Sequence, residues 1–189
     1  MASPGVADTY QGTELWELSL VDPDNRRPVD FASRVEWLRT LMADAARDRT
    51  ALVSQLRERW MDGRIKLYVV ARALVCRRDH AELFLRGDYV PLSVTGPQAH
   101  RACAFTRRDG AQWACIIVPR LCASLLTPTG ALSFGQAWRD HAVTLPPEAP
   151  RCWRKVLTDR LVEASGQSPT LPLDRLVEEL PVALLMSEA

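Results

Sequence analysis

The sequence predicts an α+β fold in which a helical part precedes an antiparallel β-sandwich. Three observations predict it. Apolar residues recur at helical spacing up to residue 87, and the period then switches to two. Asp109-Gly110 separates two apolar runs and marks a hairpin. Turn-formers follow at short intervals (Pro146-Pro147, Ser165-Gly166, Pro169), as between the strands of a sandwich.

The elements follow in order. Residues 6–10 read as a brief strand running into Gly12, and Asp22-Pro23-Asp24-Asn25 as a turn-rich loop. From Asp30, a candidate N-cap, Phe31, Val35, Leu38, Leu41, Met42 and Ala45 share one helical face. Thr50 is the candidate cap of a second helix carrying Leu52, Val53, Leu56 and Trp60, and Asp62 of a third over residues 64–78. The apolar residues of this third helix spread around most of its circumference, the pattern of a helix buried between two layers. Val90, Leu92 and Val94 then alternate with polar or small neighbours, and Pro91 predicts an edge strand. Residues 102–107 and 112–118 form the hairpin arms. Shorter strands are expected at 142–145, 153–157 and 182–185, with a helical turn within 174–180 stopped by Pro181.

Composition narrows the function classes. The chain has 189 residues, 47% apolar and 25% charged, with a formal net charge of +1, ordinary values for a globular chain. Its arginines are scattered among acids, so no basic stripe supports nucleic-acid binding. The five cysteines include no C-x-x-C pair and the three histidines stand apart, so no metal site and no cofactor is expected. Most of the cysteines lie in apolar runs and read as reduced core residues. No signal peptide and no membrane span are expected, which places the chain in the cytoplasm.

Specific segments carry a resemblance. Tyr10-Gln11-Gly12-Thr13-Glu14-Leu15-Trp16 resembles the end of the eighth barrel strand of the α-amylase superfamily. The continuation Leu20-Val21-Asp22-Pro23-Asp24-Asn25-Arg26-Arg27-Pro28-Val29-Asp30-Phe31 resembles the segment after that strand in maltooligosyl trehalose synthases. Asp62-Gly63-Arg64-Ile65-Lys66-Leu67 is similar to the start of that family's eighth barrel helix. Leu83-Phe84-Leu85-Arg86-Gly87-Asp88-Tyr89 is similar to the passage into its C-terminal sandwich. Two departures are local: Ala7 stands in place of a usual proline, and Asp159 in place of an expected glycine.

The resemblance implies that residues 1–87 are the end of a (β/α)8 catalytic barrel, its eighth strand and following helices, and that residues 88–189 are a C-terminal β-sandwich domain. A whole barrel takes about 250 residues, so the remaining strands would lie in a missing barrel portion. The family's reaction converts the reducing-end α-1,4 linkage of a maltooligosaccharide into an α,α-1,1 linkage through a covalent glycosyl-enzyme. Its three carboxylates come from the fourth, fifth and seventh strands, so no catalytic residue is expected here and the chain alone should be inactive. Glu14 and the loop holding Asp24, Asn25 and Arg26 would sit at the carboxyl end of a barrel strand, where substrate binds. A purely structural loop stands equally open for them, and core packing is the stronger reading for Trp16. A Glu14–Asp22 or Glu14–Asp24 catalytic pair, an Asp79–His80 dyad and a Cys103 nucleophile near His100 are each disfavoured. The alternative function is a non-catalytic module that binds α-glucan or docks on a separate barrel.

Overall fold

A carboxylate fixes where the helical part begins in the computed structural model, which describes residues 1–18, 27–122 and 134–188. Asp30 accepts from the Ser33 N–H at 3.0 Å, an N-cap that opens α1 (Phe31–Arg47) as the sequence suggests. Asp48 closes α1 and opens α2 (Arg49–Glu58), accepting from the Ala51 N–H at 2.9 Å. The expected cap, Thr50, already lies inside the helix. Asp48 takes the cap because it is the residue in extended geometry and its carboxylate reaches the third N–H onward. A single 3-10 turn (Trp60–Asp62) leads through Gly63, at φ 79°, into α3 (Arg64–Asp79). Asp62 accepts from the Arg64 N–H at 2.9 Å and pairs with its guanidinium at 2.6 Å. Partial burial opposes ionisation of Asp62, but the Arg64 contacts outweigh it and hold the carboxyl below its ordinary range.

The chain breaks at His80 and turns into a short α4 (Ala81–Leu85), which the sequence did not distinguish from a loop. Gly87 follows because a Cβ there would lie 2.4 Å from the Leu83 carbonyl oxygen.

Nine strands follow among the described residues: β1 (Asp88–Pro91), β2 (Ser93–Thr95), β3 (Ala102–Asp109), β4 (Gln112–Pro119), β5 (Ala142–Thr144), β6 (Cys152–Lys155), β7 (Leu161–Glu163), β8 (Thr170–Pro172) and β9 (Ala183–Ser187). Short helices α5 (Phe134–Ala137) and α6 (Leu173–Leu176) lie between them. All pairings are antiparallel, in a six-stranded sheet ordered β1-β3-β4-β9-β6-β7 and a three-stranded sheet ordered β2-β5-β8. The alternating run at residues 90–94 therefore serves two sheets. Pro91 has no N–H to extend the ladder, and the chain leaves the large sheet's edge after it. The hairpin forms as expected, with Asp109 opposite Gln112 across Gly110 and Ala111.

Strand β4 shows how the layers stack. Trp113, Cys115 and Ile117 point to one face and join Val143 and Leu171 of the small sheet in one apolar cluster. Ala114 and Ile116 point to the other face and pack with Cys76, Leu83 and Phe84 of the helices. A third cluster seats Leu157 and Leu180 among Leu41, Leu52, Leu56, Ile65 and Leu67 of the helices. There Tyr68 donates its hydroxyl proton to the Leu157 carbonyl at 2.6 Å. Helix α3 thus contributes to two clusters, which explains its broad apolar surface.

Two further expectations need correction, for the opening strand and for the cysteines. Residues 6–10 form no strand, and Val6 is fully exposed. A strand exists only through a ladder, and no described strand offers these residues its edge. Asp159, which stands in place of an expected glycine, adopts φ 65°, a conformation that glycine favours. It tolerates the left-handed conformation as a short polar residue, and its carboxylate pairs with Arg49 of α2 at 2.9 Å and with Arg154 at 3.5 Å. The cysteines are all free, but only Cys76 and Cys115 are buried, and burial pushes the Cys76 thiol up to about 11. Cys103 is exposed opposite Val118, at an end of the large sheet that the helices do not cover. No described helix is long and apolar enough to cross a membrane.

Candidate functional site

The segment singled out by its motif is a clamped turn. Thr13 donates its N–H to the Tyr10 carbonyl at 3.3 Å and its hydroxyl to the same oxygen at 2.6 Å. Gly12, at φ 91°, is buried, and a Cβ there would press on Val29 at 3.1 Å. From α1, Arg34 donates to the Gly12 carbonyl at 3.1 Å and to the Asp30 carbonyl at 3.0 Å. Its Nε lies 3.3 Å from Glu14 Oε2 in a largely buried ion pair. One guanidinium therefore joins the opening turn, the helix cap and the candidate carboxylate.

The other side of the turn is held by α3. Lys66 donates to the Leu15 carbonyl at 3.0 Å, with its ammonium 5.8 Å from the Trp16 ring centre. The Trp16 indole N–H donates to the Trp60 carbonyl at 2.7 Å, and the two rings meet edge-on at 6.1 Å. Gly63 lies so close that a Cβ would stand 3.0 Å from the Trp16 backbone nitrogen. Trp16 is 46% exposed, so it does not fill the core as expected. It forms a wall of an open groove of about 250 Å³ shared with Trp60, Ile65, Val69, Leu180 and Val182. Hydrocarbon and indole surfaces line this groove, so it suits an apolar occupant better than a polyhydroxylated one.

Of the candidate substrate-binding residues, Glu14 is placed, and it is engaged by Arg34. Asp24, Asn25 and Arg26 lie outside the described residues, as does Asp22, so their relation to Glu14 is not part of this geometry. Asp79 pairs with Arg78 at 2.8 Å, and no bond joins it to His80 among the described residues. His141 is buried, accepts from the Gln98 N–H at 2.8 Å, and places Nδ1 2.9 Å from the Arg139 carbonyl oxygen. Its two ring nitrogens are thus committed to the backbone. No group of three potential metal ligands comes together among the described residues.

Three buried charges in two groups were missed in the sequence: Arg107, and Lys155 with Glu179. Arg107, 1% exposed, donates to the carbonyls of Ala2, Phe84 and Gly87, and so ties the start of the chain and the end of α4 to the large sheet. Lys155 donates to Glu179 and to the Arg175 carbonyl at 3.0 Å, and Arg160 pairs with Glu179 at 2.9 Å. The signal for this second group was weak, because Lys155 follows Arg154 and Glu179 follows Glu178, so neither buried charge stands apart from its exposed-type neighbour in the sequence.

No protein-family model matches the chain. Proteins named maltooligosyl trehalose synthase from two strains of Mycobacterium tuberculosis are 37% identical to it over 185 residues, 98% of this chain and 19% of theirs. The solved structure of a mutant maltooligosyltrehalose synthase from Arthrobacter ramosus superposes with a TM-score of 0.70 at 35% identity. That match covers 99% of this chain and 21% of the other. The chain thus spans about a fifth of the length of the relatives it matches.

Proposed function

We propose, from the premise that the chain belongs by sequence to the maltooligosyl trehalose synthase family, that it is the C-terminal part of such an enzyme. In this reading the whole protein is an intramolecular transglucosylase that makes a trehalose-type end on maltooligosaccharides in the cytoplasm. Residues 1–87 are then the last strand and helices of its barrel, and residues 88–189 its β-sandwich. The observation that carries the reading is identity along nearly the whole chain to proteins about five times longer.

The local geometry supports it. Residues 6–10 are exposed and pair with no described strand, and the turn after them is anchored at Gly12, Glu14 and Trp16 rather than left loose. A segment without a ladder partner on a fixed base can add to the edge of another sheet, which here is a barrel supplied by the rest of the enzyme. Glu14 and residues 24–26 then border the substrate site, and Arg34 positions Glu14. The nucleophile and the acid/base belong to the missing barrel portion.

The chain alone therefore neither isomerises nor hydrolyses maltooligosaccharides, since glycosyl transfer needs both carboxyl groups in place and their loss costs several orders of magnitude in rate. Incubating the purified chain with maltohexaose tests this. Reducing ends should persist as in buffer, and they should be lost once the barrel portion of a family enzyme is added. Trehalose-capped product from the chain alone contradicts the reading.

A further inference from the structure

A second groove, unlike the one at Trp16, lies between the helices. It encloses about 300 Å³ between α1, α2 and the start of α3, a size at the lower end for small-molecule sites. Its floor is Leu41, Leu52 and Leu56, all buried. Above the floor stand Trp37, half-buried, and a rim of Glu36 and Asp44 from α1, Gln55 from α2, Arg59 just after it, and Arg64 from α3. We infer that this groove is a binding site for a neutral saccharide, separate from the Glu14 turn.

Charge and hydrogen-bonding capacity carry the inference. Around the rim Glu36 and Asp44 stand against Arg59 and Arg64, and the adjoining Arg47 and Asp62 pair with Asp44 and Arg64, so the charges cancel and neither a phosphate nor a metal cation is favoured. Glu36, Trp37 and Gln55 have no side-chain hydrogen bond to any other described residue, although they share one concave surface. Together they offer a pure acceptor, a pure donor and an amide that does both. Sugar hydroxyls donate and accept at once, and the C–H face of a pyranose can rest on the indole and the leucine floor. The spacing is regular: Glu36, Thr40 and Asp44 follow one another at i, i+4 along α1, as do Gln55 of α2 and Arg59 at its C-cap. An extended glycan lying along the groove would meet polar groups on both sides.

The choice of an α-1,4-glucan as the saccharide rests on the family reading; the groove's chemistry does not. The test is calorimetric titration of maltohexaose into the 189-residue chain, where saturable binding is expected with a Kd on the order of 1 mM. Trp37→Ala should weaken it at least tenfold. Because Trp37 also touches the helical core, Glu36→Gln and Gln55→Ala, both at exposed positions, serve as independent variants. Each should weaken binding about threefold to tenfold with an unchanged melting temperature. Absence of saturable binding, or binding that none of the three substitutions alters, overturns the proposal. Binding is read on the chain without a barrel, whereas the family reading is tested by product formation with one, so either can fail alone.

Discussion

The large sheet and the opening segment treat their backbone and apolar groups in opposite ways. Every strand of the sheet has a ladder partner, and β4 is buried on both faces, by the small sheet on one side and by α3 and α4 on the other. The opening segment has no ladder among the described residues, and Val6, Tyr10, Trp16 and Leu18 are exposed, as are Phe31, Val35 and Met61 of the helical part. The contrast teaches that the β-rich part finds its cover within the chain, while the opening segment is fixed at its base and left open at its flank.

The largest expected effect lies on the self-covered side. Glu179→Ala would strand the buried Lys155 ammonium among the apolar residues of β6 and α6, and should cost about 3–5 kcal/mol in urea unfolding. A loss under about 1 kcal/mol would show that the Arg175 carbonyl and solvent already satisfy the ammonium, and would erase much of the contrast.

Acid should act next, and on the helical side. Asp30 is held below its ordinary value of 3.8 mainly by hydrogen bonds from Ser33, and Asp62, despite burial, by those from Arg64. Groups lowered on folding stabilise above their ordinary value and lose that contribution as pH falls through the lower folded one. Urea midpoints should therefore hold above about pH 4 and drop below it, and Asp62→Asn should flatten part of that drop. A profile that Asp62→Asn leaves unaltered would remove the Asp62–Arg64 pair from the account. The smallest effect is expected in the open flank, where Leu18→Ala should change stability by no more than about 0.5 kcal/mol. A cost above about 2 kcal/mol would mean that Leu18 is packed within the chain after all.

Much of the fold was legible because its signals are local. Asp30 announced a helix start and Asp109-Gly110 the hairpin, whereas Asp62, expected to cap α3, stands one residue before Gly63, which holds the N-cap position without a side-chain cap. The switch from β1 to β2 was not legible, because a period of two reads the same whichever sheet a strand joins. Strands β7 and β8 are three residues long and leave too little pattern to detect. Residues 6–10 show the converse: strand-forming residues predict a strand, but pairing decides it. At the candidate site, Glu14 could be named from its motif. Its partner Arg34 lies on α1, where an arginine reads as one more solvated helix residue until the turn at Gly12 brings the two together.

In the proposed reading, the opening segment awaits a strand from the rest of the enzyme. Amide hydrogen exchange on the 189-residue chain, alone and mixed with the barrel portion of a family enzyme, tests it most directly. The account predicts that amides of residues 6–10 exchange at unprotected rates in the isolated chain while those of β4 exchange last, and that residues 6–10 become protected in the mixture. Protection of residues 6–10 in the isolated chain, or no change on mixing, would contradict it.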